Sequence, residues 1–138
     1  MALPAGAMAA DDLFQQAINY VFTGTIDPSD GPEIVDRKAC IVVMPDPKFN
    51  RYARYNLSRF KMNISVISKK YSGTRTLYEL DVDGDDIILE YLNLDKTTVI
   101  RGFKSAQIAL PGDIERTQKA LNIIFSDHCK AEQVKTPF

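Results

Sequence analysis

Amphipathic helical periodicity at the two ends of this chain, around a strand-like middle, constrains its fold more than any other feature. Near the N-terminus, apolar residues recur at the i, i+4, i+8 spacing of a helix that Asp11 or Asp12 can cap and Gly24 can end. The apolar stripe consists of Leu13, Phe14, Ala17, Ile18, Val21 and Phe22. We expect this helix to pack on the rest of the protein through that stripe.

The C-terminal part of the chain predicts a second amphipathic helix. The run Pro111-Gly112-Asp113 supplies a start signal for this helix. Its expected inner face carries Ile114, Leu121, Ile124, Phe125 and Cys129.

The middle of the chain has the composition and alternation of β-strands. Residues 34–44 are rich in β-branched side chains, and residues 98–110 predict another one or two strands. Residues 55–67 predict one or two strands with a break near 61–63. Alternating apolar residues on both sides of Asp83-Gly84-Asp85 predict a β-hairpin there.

These elements predict a single α+β domain over residues 11–131, followed by a tail over 132–138. Its sheet is antiparallel, a meander or roll of about five or six strands, with an N-terminal and a C-terminal helix packed on it. In the order of its elements the chain resembles a cystatin-like or NTF2-like cone, or a pleckstrin-homology-like roll. A resemblance of this kind implies no activity.

Residues 1–9 resemble the end of a secretory signal peptide. Ala7-Met8-Ala9 is an A-x-A pattern that a signal peptidase accepts, and it predicts a periplasmic or secreted protein. The alternative is a disordered alanine-rich N-terminus on a cytoplasmic protein.

The two cysteines, Cys40 and Cys129, suit one disulfide bond. Each lies in an apolar pattern that is expected to face the core, and an oxidising compartment would favour their bridge. The alternative is two buried free thiols, which behave as small apolar side chains.

Charge is distributed in blocks of opposite sign. Residues 37–75 hold ten Lys and Arg against Asp46 alone, whereas residues 76–95 hold seven acids and no base. The two blocks can pair as neighbours in a sheet or face different ways.

Within the basic stretch 48–75, cations interleave with aromatic residues, which suits an anionic ligand, a glycan, a lipid surface or a protein partner. The candidate anion-binding residues are Arg51, Arg54, Arg59, Lys61, Lys69 and Lys70. The sequence pI of about 5.8 disfavours nucleic acid.

The sequence predicts no catalytic group, cofactor or metal site. The acids from Glu79 to Glu90 approach the spacing of a calcium-binding loop, but their flanks alternate like strands, and the hairpin is preferred. His128 is next to Cys129, and adjacent helical side chains point about 100° apart, which prevents a nucleophile–base pair.

Three functions remain open, and a non-catalytic binding or accessory module is preferred among them. The alternatives are a small cone-shaped enzyme with an internal pocket, and a polyanion-binding protein that uses residues 48–75. No apolar run approaches the length of about 18 residues that a transmembrane helix requires.

Overall fold

The structure is a computed structural model that describes residues 5–61 and 66–129. In these residues two helices lie against two antiparallel sheets, which confirms the predicted α+β class. In chain order the strands are β1 (Glu33–Asp36), β2 (Ile41–Asp46), β3 (Arg51–Asn56), β4 (Val66–Ser72), β5 (Arg75–Asp83), β6 (Leu89–Leu92), β7 (Val99–Phe103) and β8 (Ser105–Leu110).

The N-terminal helix, α1, spans Ala5–Thr23 and therefore starts earlier than predicted. The expected start at Asp11 or Asp12 is wrong, because the alanine-rich residues before them have high helix propensity and continue the helix. Its end is as predicted: Gly24 adopts a φ of +81° and its N–H donates to Tyr20 O at 2.8 Å.

The larger sheet has five strands in the order β1-β2-β3-β6-β7, and the smaller sheet has three in the order β4-β5-β8. All neighbouring strands are antiparallel. The predicted sheet of five or six strands thus has its counterpart in the larger sheet. The separate smaller sheet was not predicted.

The predicted hairpin across Asp83-Gly84-Asp85 is wrong. β5 pairs with β4 and β8, whereas β6 pairs with β3 and β7, so residues 84–88 carry the chain from one sheet to the other. Backbone hydrogen bonds hold both ends of this crossover, from Gly84 N to Lys104 O at 2.8 Å and from Ile88 N to Phe103 O at 2.9 Å. The Asp-Gly signal marks a turn between sheets instead of a turn between paired strands.

The C-terminal helix, α2, spans Ile114–Asn122 and begins where the sequence predicts. Asp113 caps it by accepting a hydrogen bond from Arg116 N at 3.2 Å. A π-helical segment, Ile123–His128, continues the helix to Cys129. Neither helix in the described part of the chain is long and apolar enough to span a membrane.

The core lies where α1 and α2 pack on the sheets. Phe14, Ile18 and Ile124 are fully buried there, as are Phe60 and Val42. Burying one such aliphatic or aromatic side chain contributes about 1.5–3 kcal/mol to stability.

The predicted pairing of the two cysteines is confirmed. Cys40 and Cys129 are bonded, with their Sγ atoms 2.04 Å apart, and both residues are buried in the core. The bond joins the turn before β2 to the end of the C-terminal helical segment.

Candidate functional site: a cleft between the two sheets

An open cleft of about 460 Å³ lies between the two sheets, and its volume is within the range of small-molecule sites. Four strands supply its walls: β5 and β8 of the smaller sheet, and β6 and β7 of the larger one, with one residue from β3. The lining residues are Tyr55, Asp81, Val82, Asp83, Leu89, Tyr91, Phe103, Ser105, Ala106 and Gln107.

The wall formed by the smaller sheet is mainly polar, because strand alternation turns most of its apolar side chains to the other face. Leu80 and Val82 of β5 are buried, so the residues between and after them project to the opposite side. The register pairs Asp81 with Gln107 and Asp83 with Ser105. Two carboxylates, an amide and a hydroxyl therefore occupy one patch.

The wall formed by the larger sheet is aromatic. Tyr55, Leu89 and Phe103 are cross-strand partners in one row, and Tyr91 lies two residues beyond Leu89 on the same face. The rings of Tyr91 and Phe103 meet edge to face, with centroids 5.7 Å apart. The cleft thus has one apolar wall and one acidic wall.

Asp81 is held in its ionised form. The hydroxyl of Ser68 donates to Asp81 Oδ2, and this bond, more than the neighbouring Lys70 ammonium and Gln107 amide, holds the pKa of the carboxyl below its usual range. Partial burial acts in the opposite direction and is outweighed. No donor meets Asp81 Oδ1 with hydrogen-bond geometry, although this oxygen is buried.

Tyr55, which lines the cleft, is a neutral residue. Burial, reinforced by Tyr91 and Asp46, raises the pKa of Tyr55 to about 12. The phenol therefore stays protonated at physiological pH, where it can donate and accept hydrogen bonds.

Two arginines stack on the aromatic wall without lining the cleft. Arg51 Cζ lies 3.5 Å from the centroid of the Tyr91 ring, and Arg101 Cζ lies 4.9 Å from that of Phe103. The Nε atom of Arg51 also donates to Asp46 Oδ2 at 2.9 Å. These contacts fix the aromatic wall by cation–π attraction.

The six candidate anion-binding residues do not line this cleft. Arg51 and Arg54 lie on β3, Arg59 lies in the turn after it, and Lys69 and Lys70 lie on β4 of the other sheet. The sixth, Lys61, precedes the second undescribed segment. The structure therefore spreads these cations over both sheets.

Most of these candidates are ion-paired with acids. Arg54 pairs with Glu90 across β3 and β6 at 2.9 Å. Lys61 Nζ is 2.6 Å from Asp85 Oδ1, and Lys70 Nζ is 2.8 Å from Glu79 Oε1. The basic block 37–75 and the acidic block 76–95 could pair with each other or face different ways, and in the structure they pair. Anion binding by these residues stays a prediction.

The one histidine has a packing contact in the structure. The ring of His128 stacks on that of Phe14, with centroids 4.4 Å apart. Across the described ranges, no group of three or more His, Cys, Asp or Glu residues is arranged to hold a metal ion.

Sequence reasoning missed the cleft. It placed Asp81 and Asp83 at a solvated hairpin, whereas they lie on β5 and face another sheet. The available signal was the alternation of Leu80 and Val82 with acids, which indicates one buried and one polar face. The sequence does not show which part of the protein lies opposite that polar face, because this depends on strand pairing between distant segments.

Comparison of the chain with protein-family models, with curated proteins and with solved structures finds no match. The outline resemblance to cystatin-like, NTF2-like and pleckstrin-homology-like folds therefore stays a prediction.

Proposed function

We propose that this protein is a non-catalytic binding module whose ligand site is the cleft between the two sheets. The observation that carries the proposal is the chemical difference between the walls. Tyr91 and Phe103 offer apolar contact area, and Asp81 and Gln107 on the other wall offer polar groups that orient a ligand. Ligand sites in proteins typically combine these two kinds of surface.

The electrostatics favour binding over acid–base catalysis. A carboxyl that acts as a general acid near neutral pH requires a raised pKa. The pKa of Asp81 is lowered instead, chiefly by Ser68, so this group is a permanent acceptor and a fixed negative charge.

The proposed compartment is the periplasm or the exterior of the cell. A disulfide between Cys40 and Cys129 persists in an oxidising environment and is rare in a reducing cytosol. Thiol trapping in the cells that naturally make the protein tests this part of the proposal. We expect no thiol to be trapped before reduction, and two trapped thiols per chain would contradict export.

A screen of metabolites by thermal shift, using the disulfide-intact full chain, tests the ligand site. Two Gln→Trp variants, one inside the cleft and one outside it, show whether each stabilising ligand binds in the cleft. Gln107→Trp fills the cleft, whereas Gln118→Trp places the same side chain on an exposed position of α2. We expect hits that stabilise the wild type and Gln118→Trp but not Gln107→Trp. Hits that stabilise both variants equally, or a screen without hits, would contradict the proposal.

A further inference from the structure

We propose that the ligand of the cleft is an organic cation: an ammonium group carried on an apolar ring or chain. This inference rests on the proposed function, because it assigns a ligand class to the same cleft. Three observations carry it, namely the charge of the lining, the spare hydrogen-bonding capacity of Asp83, and the chemistry of the opposite wall.

The lining is negatively charged. Asp81 and Asp83 line the cleft, and no Lys, Arg or His is among the lining residues within the described ranges. Glu79 follows on the same face of β5, where Lys70 neutralises it. Arg51 and Arg101 stack on the opposite wall, and Arg51 is already paired with Asp46. The two lining carboxylates therefore leave a net negative charge that favours a cationic ligand.

Of the two carboxylates, that of Asp83 can accept further hydrogen bonds. An ionised carboxylate has about four lone-pair sites. Ser68 donates to Oδ2 of Asp81, and Oδ1 is buried from solvent, so Asp81 acts on a ligand through its charge. Asp83, next to it on the same face, is exposed. An ammonium group has three donors, and its bonds to carboxylates are charge-assisted.

The aromatic wall suits the body of such a ligand. Tyr91 and Phe103 present apolar surface, and each already carries a stacked guanidinium group, that of Arg51 or Arg101. An ammonium ligand can lay its apolar body on the rings and direct its charge to Asp81 and Asp83 across the cleft.

Calorimetric titration with three probes of one shape tests the charge requirement. Cyclohexylammonium, cyclohexanol and cyclohexanecarboxylate share the same ring and differ in the charge of one group. We expect cyclohexylammonium to bind the disulfide-intact protein at least about tenfold more tightly than either of the others, because a charged hydrogen bond and the cleft potential favour it alone.

Variants of the acidic wall test the role of the carboxylates. Asp83→Asn changes an exposed side chain and should weaken cyclohexylammonium about threefold to fivefold, as expected for a partly screened ion pair. Asp81→Asn should weaken it to a similar extent through the loss of one negative charge, provided that the circular dichroism spectrum is unchanged. The control, Asp30→Asn, removes one negative charge in the loop before β1, outside the lining, and should leave the affinity within about twofold.

Equal or tighter binding of cyclohexanol or the carboxylate would overturn the cation proposal, as would the absence of binding by all three probes. An affinity unchanged in Asp83→Asn would also overturn it. None of these results decides the proposed function. The proposed function fails only when no ligand in the thermal-shift screen loses its stabilising effect in Gln107→Trp.

Discussion

At the scale of single residues, burial has a measurable effect on the ionisation of Tyr55. Tyr55 lines the cleft, and burial disfavours its phenolate, to which Tyr91 and the Asp46 carboxylate add repulsion. Because the folded protein favours the neutral phenol, this group contributes stability below its unfolded pKa of about 10. That contribution is lost as the pH rises through the folded pKa of about 12.

We predict that the tyrosine ring carbon signal assigned to Tyr55 stays at its neutral position up to pH 11. The assignment comes from its absence in Tyr55→Phe, and the measurement is a carbon-13 NMR titration of the ζ carbons. A pKa near 10 for Tyr55, the ordinary value of a solvated phenol, would show that the cleft does not desolvate this hydroxyl.

At the scale of secondary-structure elements, the crossover at residues 84–88 sets the relation of the two sheets. Gly84 is the first residue of the crossover, and neighbouring atoms leave no room there for a side chain. A Cβ at this position would be 2.5 Å from Ile88 Cγ2 and 2.9 Å from the backbone oxygen of Arg59. Ile88 is fully buried, so its side chain has no free space in which to move.

We predict that Gly84→Ala lowers the free energy of unfolding by about 2 kcal/mol, the typical cost of overpacking. Gly112→Ala is the matched control, because a Cβ at that position meets nothing within 4 Å. Urea denaturation of both variants measures the difference. Equal stability of the two variants would contradict the close contact at the crossover.

Element by element, the sequence predicted what depends on local pattern. The two amphipathic helices, the cap at Asp113 and the strand character of the middle follow from spacing and turn residues. The division into two sheets does not, because the same alternation in β5 and β6 is compatible with pairing to each other or to other strands. The site was missed for the same reason, since Tyr55 and Gln107 meet only through that division.

At the scale of the whole molecule, the disulfide closes most of the chain into one loop. Cys40 and Cys129 are 89 positions apart in sequence, and the bond holds the C-terminal helical segment against the turn before β2. A cross-link over a loop of this length restricts the unfolded chain and thereby stabilises the fold.

We predict that Cys40→Ala combined with Cys129→Ala lowers the free energy of unfolding by about 4.6 kcal/mol, the value of the chain-entropy model for such a loop. A reducing agent should destabilise the wild type to a similar extent and leave the double variant unchanged. Chemical denaturation with and without reductant measures both effects. A wild type that is fully reduced yet equally stable would show that the bond adds nothing to stability.

The function of the whole molecule depends on whether the cleft is where a ligand binds, and amide shift mapping with the most strongly stabilising hit of the metabolite screen tests this most directly. A nitrogen-15 NMR titration of the full chain should show its largest shifts in β5, β6, β7 and β8, around Asp81, Tyr91 and Gln107. A second groove, of about 160 Å³, lies between α1 and α2 and includes Tyr20 and Arg116. Largest shifts at that groove, or no shifts at the cleft, would contradict the account.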